Sequence, residues 1–121
     1  MSFEWSDYID LASDLILTTP NQAQIRSAIS RSYYGAFCPC RDYLGLSNHR
    51  ESDVHKLVIN RLKESDDEGE FAIGGLLDGM KNLRNKADYS YNFVASIIDA
   101  SNHIKTANTI IDQIEDLENG L

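Results

Sequence analysis

The chain has 121 residues, 42% hydrophobic and 25% charged, which is the composition of one ordinary globular domain over residues 1–121. Its net charge of −8 and pI of about 4.7 argue against a broad duplex-binding surface, because such a surface needs a basic face. No apolar run is long enough to span a bilayer and no basic, apolar leader opens the sequence, so we expect a cytoplasmic protein.

Apolar residues recur at helical spacing along most of the chain, and no segment shows convincing strand alternation. We therefore expect an all-α fold, an antiparallel up-and-down bundle of four to five helices joined by short loops. The predicted loops are residues 45–52 and the acidic segment 65–70. The predicted helices are residues 3–17, 21–43, 54–64 with Asp53 as N-cap, a fourth from near Phe71 through residues 80–91, and 93–117.

The second helix contains Pro39, which lacks a backbone donor, so we expect either a kink near residues 35–38 or an early end. Cys38 and Cys40 flank this proline with one residue between them, which is not the spacing of a redox or zinc site. Two free thiols acting as small buried groups are the expected arrangement.

A separate stripe of the second helix has mixed polarity and carries arginine and tyrosine. Two interpretations stand for it: a surface that docks a partner, since these residue types dominate interface hot spots, or a solvated face with arginines extended over it. The stripe consists of Ser27, Arg31, Tyr34, Cys38 and Arg41.

The fourth predicted helix holds the densest polar group in the chain. Arg84, Asp88 and Tyr91 follow helical i, i+4, i+7 spacing, and Asn85 and Tyr89 form a second i, i+4 pair beside them. One interpretation is an Arg84–Asp88 surface salt bridge, which contributes little to stability. The other is a site for phosphate, because a guanidinium offers a rigid fork of donors that matches phosphate oxygens.

Other chemistry finds little support in the sequence. His49, His55 and His103 lack metal-ligand spacing, so no metal site and no cofactor are expected. His55 lies beside the apolar side of the third helix, and we interpret it as a structural residue, while His103 lies off the apolar stripe of the fifth. No serine or cysteine has the neighbours of a nucleophile.

The run from Arg26 to Phe37 (RSAISRSYYGAF) closely resembles the second-helix signature of the HEPN-domain family. Trp5 and Tyr8 in the first helix, His55 in the third, and residues 83–89 in the fourth are similar to the same family in order and spacing. The resemblance therefore covers nearly the whole chain.

This resemblance implies an up-and-down helical bundle that forms a homodimer through the faces bearing the motifs. Many HEPN proteins are metal-independent endoribonucleases, often toxins or defence effectors paired with a small nucleotidyltransferase. Their active motif is arginine, four to six residues, then histidine; Arg84 and Asn85 match its start, but Tyr89 occupies the histidine position. In some toxins of the family, a tyrosine at the place of Tyr91 is modified with adenylate groups by the partner.

From these observations we expect an RNA- or nucleotide-associated homodimer, a degenerate ribonuclease toxin or defence component in which catalysis is weak or absent. The alternative is a non-enzymatic module that docks a partner protein. The candidate catalytic residues are Arg84, Asn85, Asp88 and Tyr89, and the candidate binding residues are Arg31, Tyr34 and Tyr91.

Overall fold

A computed structural model describes residues 2–49 and 52–121, and within those ranges the chain forms helices and no strands. Five helices are present, so the all-α class and the helical bundle are confirmed. They are α1 (Asp7–Leu15), α2 (Gln22–Tyr43), α3 (Val54–Lys63), α4 (Glu68–Tyr89) and α5 (Ile97–Glu118).

Helix α2 is the central element, since it packs against each of the other four helices. Its first turn is closed by a capping box, in which Asn21 Oδ1 accepts from the backbone N–H of Gln24 and Gln24 Oε1 accepts from that of Asn21. The helix continues through Pro39 to Tyr43, so the early end that we considered does not occur. Tyr33 and Phe37, on its inner face, are among the largest fully buried side chains.

Several helix boundaries differ from the predicted ones. Helix α1 begins at Asp7, while α4 begins three residues early, because Asp67 caps it by accepting from the backbone N–H of Glu70. Residues 90–96 are not helical, so α4 ends before Tyr91 and α5 starts after the predicted residue 93. Arg50 and Glu51, in the predicted 45–52 loop, lie outside the described residues.

The buried face of α5 matches the predicted apolar stripe at Ala107, Ile110 and Ile114 but differs from it near the start of the helix. His103 is only 7% exposed, on the same side of the helix as Ala100 and Ala107, whereas Val94 and Ile98 are 78% and 72% exposed. Because the helix begins at Ile97, the apolar residues before it do not continue its buried stripe. Placing His103 off the buried stripe was therefore wrong.

Helices α3 and α4 approach closely at Gly74. A Cβ atom added there would lie 2.8 Å from the backbone nitrogen of Lys63 and 2.9 Å from Leu62 Cβ, so only glycine fits this crossing. Cys38 and Cys40 are free and buried, as expected. None of the described helices combines the length and the apolar character needed to cross a bilayer.

Candidate functional site

Arg84 lies on the side of α4 that faces α2, and it is only 8% exposed. Its Nη1 group donates to Asn85 Oδ1 over 3.0 Å, and its Nη2 group donates to the hydroxyl of Tyr34 on α2. Its Nε atom lies 2.9 Å from Asp88 Oδ2, and that carboxylate oxygen also accepts from Ser30 Oγ over 3.1 Å. The Arg84–Asp88 ion pair of the first interpretation therefore forms, but it lies between two helices and is largely buried rather than at the surface.

Three tyrosine rings frame this guanidinium. Its Cζ atom lies 5.5 Å from the ring centroid of Tyr33, 5.0 Å from that of Tyr34 and 5.7 Å from that of Tyr89. At these distances the ring faces attract the cation, which makes its burial less costly. We refer to Arg84 with Tyr33, Tyr34 and Tyr89 as the aromatic frame.

Arg84 retains hydrogen-bonding capacity within this frame. A guanidinium has five N–H groups, and among the described residues two of them are used, in the hydrogen bonds to Asn85 and Tyr34. The buried Nε atom makes no hydrogen bond to a described residue, so its short contact with Asp88 is an ion pair without N–H alignment. Donors therefore remain for an additional oxygen ligand.

The surroundings of the aromatic frame are cationic, although the chain as a whole is acidic. Lys81 lies one turn before Arg84 on α4, and Arg41 lies on α2. Burial is the main cause that lowers the pKa of the His55 imidazole on α3, to about 4. The positive charges of Arg84, Lys81 and Arg41 lower it further. Arg84 and His55 thus lie against the Tyr34 ring, and Lys81 and Arg41 add positive charge that acts on His55.

The sequence alone did not assign His55, Lys81 or Arg41 to the site, and of these three His55 contacts its aromatic rings. Its ring stacks on Phe37 with centroids 4.0 Å apart and meets the Tyr34 ring edge-on at 5.8 Å. The signal available in the sequence was its place beside the apolar side of α3, but that position does not show which face of α2 the helix covers.

The arginines of the mixed stripe on α2 lie over aromatic rings in or just before α1. Arg31 Cζ lies 5.4 Å from the Tyr8 ring centroid and 5.9 Å from that of Tyr34, and Arg41 Cζ lies 5.4 Å from that of Trp5. These side chains therefore have fixed positions rather than a freely solvated one, and Arg31 joins the site through Tyr34.

Tyr91 does not belong to the cluster in the way that its spacing suggested. Helix α4 ends at Tyr89, and Tyr91, which is 95% exposed, lies in the connection to α5. That connection is fastened to α2: Arg26 donates to the carbonyl oxygens of Ala87, Tyr91 and Phe93, and Gln22 exchanges two hydrogen bonds with the backbone of Ala95. Tyr91 is thus presented to solvent by an anchored segment.

Two clefts elsewhere on the molecule do not involve the site. One, of about 310 Å³, lies between α1 and α5 and is lined by Leu17, Ile104 and Lys105 among others; the second, of about 270 Å³, lies beside Trp5, Pro39 and Glu115. Among the described residues, no group of histidine, cysteine, aspartate or glutamate side chains has the arrangement of a metal site.

No family model, curated protein or solved structure matches the chain in comparisons with known proteins.

Proposed function

We propose that the chain is a HEPN-type helical protein that binds single-stranded RNA or a nucleotide at the aromatic frame, with Arg84 as the principal phosphate contact. The observation that carries the proposal is that Arg84 and His55 both lie against the Tyr34 ring, with the positive charges of Lys81 and Arg41 acting on His55, on a chain whose net charge is −8. Cations that follow a phosphate backbone, beside rings on which bases stack, are the usual means of binding single strands.

The exposed rings support the same proposal. Tyr89 is 76% exposed while its ring also lies against Arg84, so one of its faces is within reach of a base. Because Arg84 itself is buried, a phosphate would contact the edge of its guanidinium rather than surround it. Binding is therefore expected to be weak and to fall steeply with salt.

The test is a titration of fluorescently labelled oligouridylate followed by fluorescence anisotropy at low salt. Arg84→Ala should abolish binding, and Arg84→Lys should weaken it strongly because the planar pair of donors is lost. Lys105→Ala removes the same charge from the cleft between α1 and α5 and serves as the matched control. Circular dichroism of each variant separates lost binding from lost folding. Equal binding by wild type and a folded Arg84→Ala variant would remove RNA from the proposal.

From the resemblance to the HEPN family we further propose that the chain forms a homodimer, in which two copies of the aromatic frame lie together. The same resemblance suggests a toxin or defence role with a nucleotidyltransferase partner. Light scattering at micromolar concentration tests the dimer. Growth inhibition on induced expression of wild type and Arg84→Ala tests the toxin role.

A non-enzymatic docking module is the second candidate, and a different observation favours it. Five apolar or aromatic residues between positions 89 and 98 are exposed, next to a site whose arginine is already bonded within the chain. They are Tyr89, Tyr91, Val94, Ile97 and Ile98. An exposed patch of this kind is typical of a protein contact. This candidate would be favoured if the wild type captures the partner nucleotidyltransferase, if Val94→Ser does not capture it, and if neither protein binds RNA.

A further inference from the structure

The imidazole of His55 is held in one orientation by residues of α2. Its Nδ1 atom lies 2.7 Å from the hydroxyl oxygen of Tyr33, and its ring stacks on both Phe37 and Tyr33, with interplanar angles of 20° and 22°. The hydrogen bond and the two ring contacts, all from α2, hold the imidazole with Nδ1 toward Tyr33.

Tyr33 also decides which nitrogen carries the proton. Tyr33 is fully buried, and burial raises the pKa of its phenol well above the usual value, so the hydroxyl keeps its hydrogen. The partner that the described residues give to this hydrogen is His55 Nδ1. The neutral imidazole therefore carries its own proton on Nε2 and presents an N–H donor there.

His55 is partly exposed, and its Nε2 atom is not fully buried. This atom has no hydrogen bond to the described residues. It is accordingly open to a ligand. The charged groups that act on the ring from the helices packed against it are Arg41 from α2 and Lys81 and Arg84 from α4, all of them cations. The uncharged groups facing it are the phenols of Tyr33 and Tyr34.

We propose that His55 is an anion-binding residue of the same site: its Nε2–H donates to a phosphate oxygen held by Arg84 and Lys81, and His55 takes up a proton when that anion binds. The physical reason is that a bound anion cancels the repulsion of the three cations and so favours the imidazolium form. This inference rests on the proposed function for its ligand, a phosphodiester, but not for its test.

The decisive experiment is a histidine titration by nuclear magnetic resonance, with inorganic sulfate as the probe because it remains a dianion between pH 4 and 8. The His55 signals are assigned by their loss in His55→Gln. With sulfate, the titration midpoint of His55 should rise by about one pH unit relative to chloride at equal ionic strength, and the rise should vanish in Lys81→Ala. An unchanged midpoint in wild type, or no sulfate-dependent change of any His55 signal, would overturn the inference.

A second measurement uses the oligouridylate of the binding test, whose phosphodiesters and bases do not titrate between pH 5 and 8. Wild type should bind about twofold more tightly at pH 5 than at pH 7, because a pKa near 4 that rises by about one unit on binding leaves about half of the bound imidazoles, but only about a tenth of the free ones, protonated at pH 5. His55→Gln should bind with no such dependence. If wild type and His55→Gln bind RNA with the same pH dependence, the role of His55 is overturned while the proposed function stands. If sulfate raises the titration midpoint of His55 but no RNA binds, the proposed ligand is overturned while the role of His55 stands.

Discussion

The hydroxyl of Tyr34 on α2 accepts a hydrogen bond from the Nη2 group of Arg84 on α4, and the same tyrosine ring lies 5.0 Å from the guanidinium carbon. One side chain thus provides both an acceptor and a ring face to a buried cation. Because the contact joins two helices, it ties the candidate site to the stability of the bundle.

Tyr34→Phe isolates the hydrogen bond, since the ring that faces Arg84 is retained. Loss of an acceptor for a charged donor should lower the free energy of unfolding by about 1–2 kcal/mol. Urea denaturation followed by circular dichroism measures the change. Tyr89→Phe is the matched control: its ring also lies against Arg84, but its hydroxyl makes no hydrogen bond to the described residues, so a change of similar size there would contradict the assignment.

The α3–α4 crossing gives a second prediction. Gly74→Ala should destabilise the protein by about 1–3 kcal/mol, because the new Cβ atom would meet the backbone of Lys63 and the helices must separate. Gly79→Ala, in the same helix, meets open space and should stabilise the protein by about 0.5–1 kcal/mol. Thermal or urea denaturation of both variants measures the two changes in the free energy of unfolding. Equal changes would show that the α3–α4 crossing has room for a Cβ atom at position 74.

The buried His103 and the partly buried His55 predict how stability depends on pH. Burial lowers the pKa of both: to about 4 for His55, where nearby cations add to the effect, and in the same direction for His103. In the unfolded chain they bind protons near pH 6.5, so unfolding takes up protons below that pH. The free energy of unfolding should therefore fall as the pH is lowered from about 6.5 toward 4.

Replacing His55 with Gln removes one of these protons and should make the decline shallower by up to about 1.4 kcal/mol per pH unit. Urea denaturation at half-unit steps from pH 8 to 4.5 measures it, and the two proteins should run parallel between pH 7 and 8. If the two curves stay parallel down to pH 4.5, the fold does not lower the pKa of His55.

A fourth prediction concerns chemistry at the aromatic frame. Tyr89→His places an imidazole where a phenol now lies 5.7 Å from the guanidinium carbon, beside the donor best suited to a phosphate. We expect slow cleavage of single-stranded RNA that persists in a metal chelator, assayed by gel electrophoresis of labelled oligonucleotide. Tyr91→His, outside the frame, should give none. The absence of cleavage in both variants would contradict a decayed nuclease site.

The sequence predicted the helices well where capping and periodicity agree, and it failed where a side chain far along the chain decides. The five-helix class, the buried thiols and the grouping of Arg84 with Asn85 and Asp88 follow from local spacing. The position of Tyr91 does not, because Arg26 and Gln22 hold residues 90–96 out of the helix. The place of His55 could not be predicted either, since it depends on the packing of α3 across α2.

The attachment of the α4–α5 connection to the first turns of α2 has a consequence for local opening. The backbone N–H of Ala95 is bonded to Gln22 Oε1 rather than to other backbone. Its hydrogen exchange should therefore be limited by fraying at the start of α2, and the two segments, more than 70 positions apart in sequence, should exchange as one cooperative unit. Gln22→Ala should release that amide to fast exchange while leaving the amides in the middle of α2 protected.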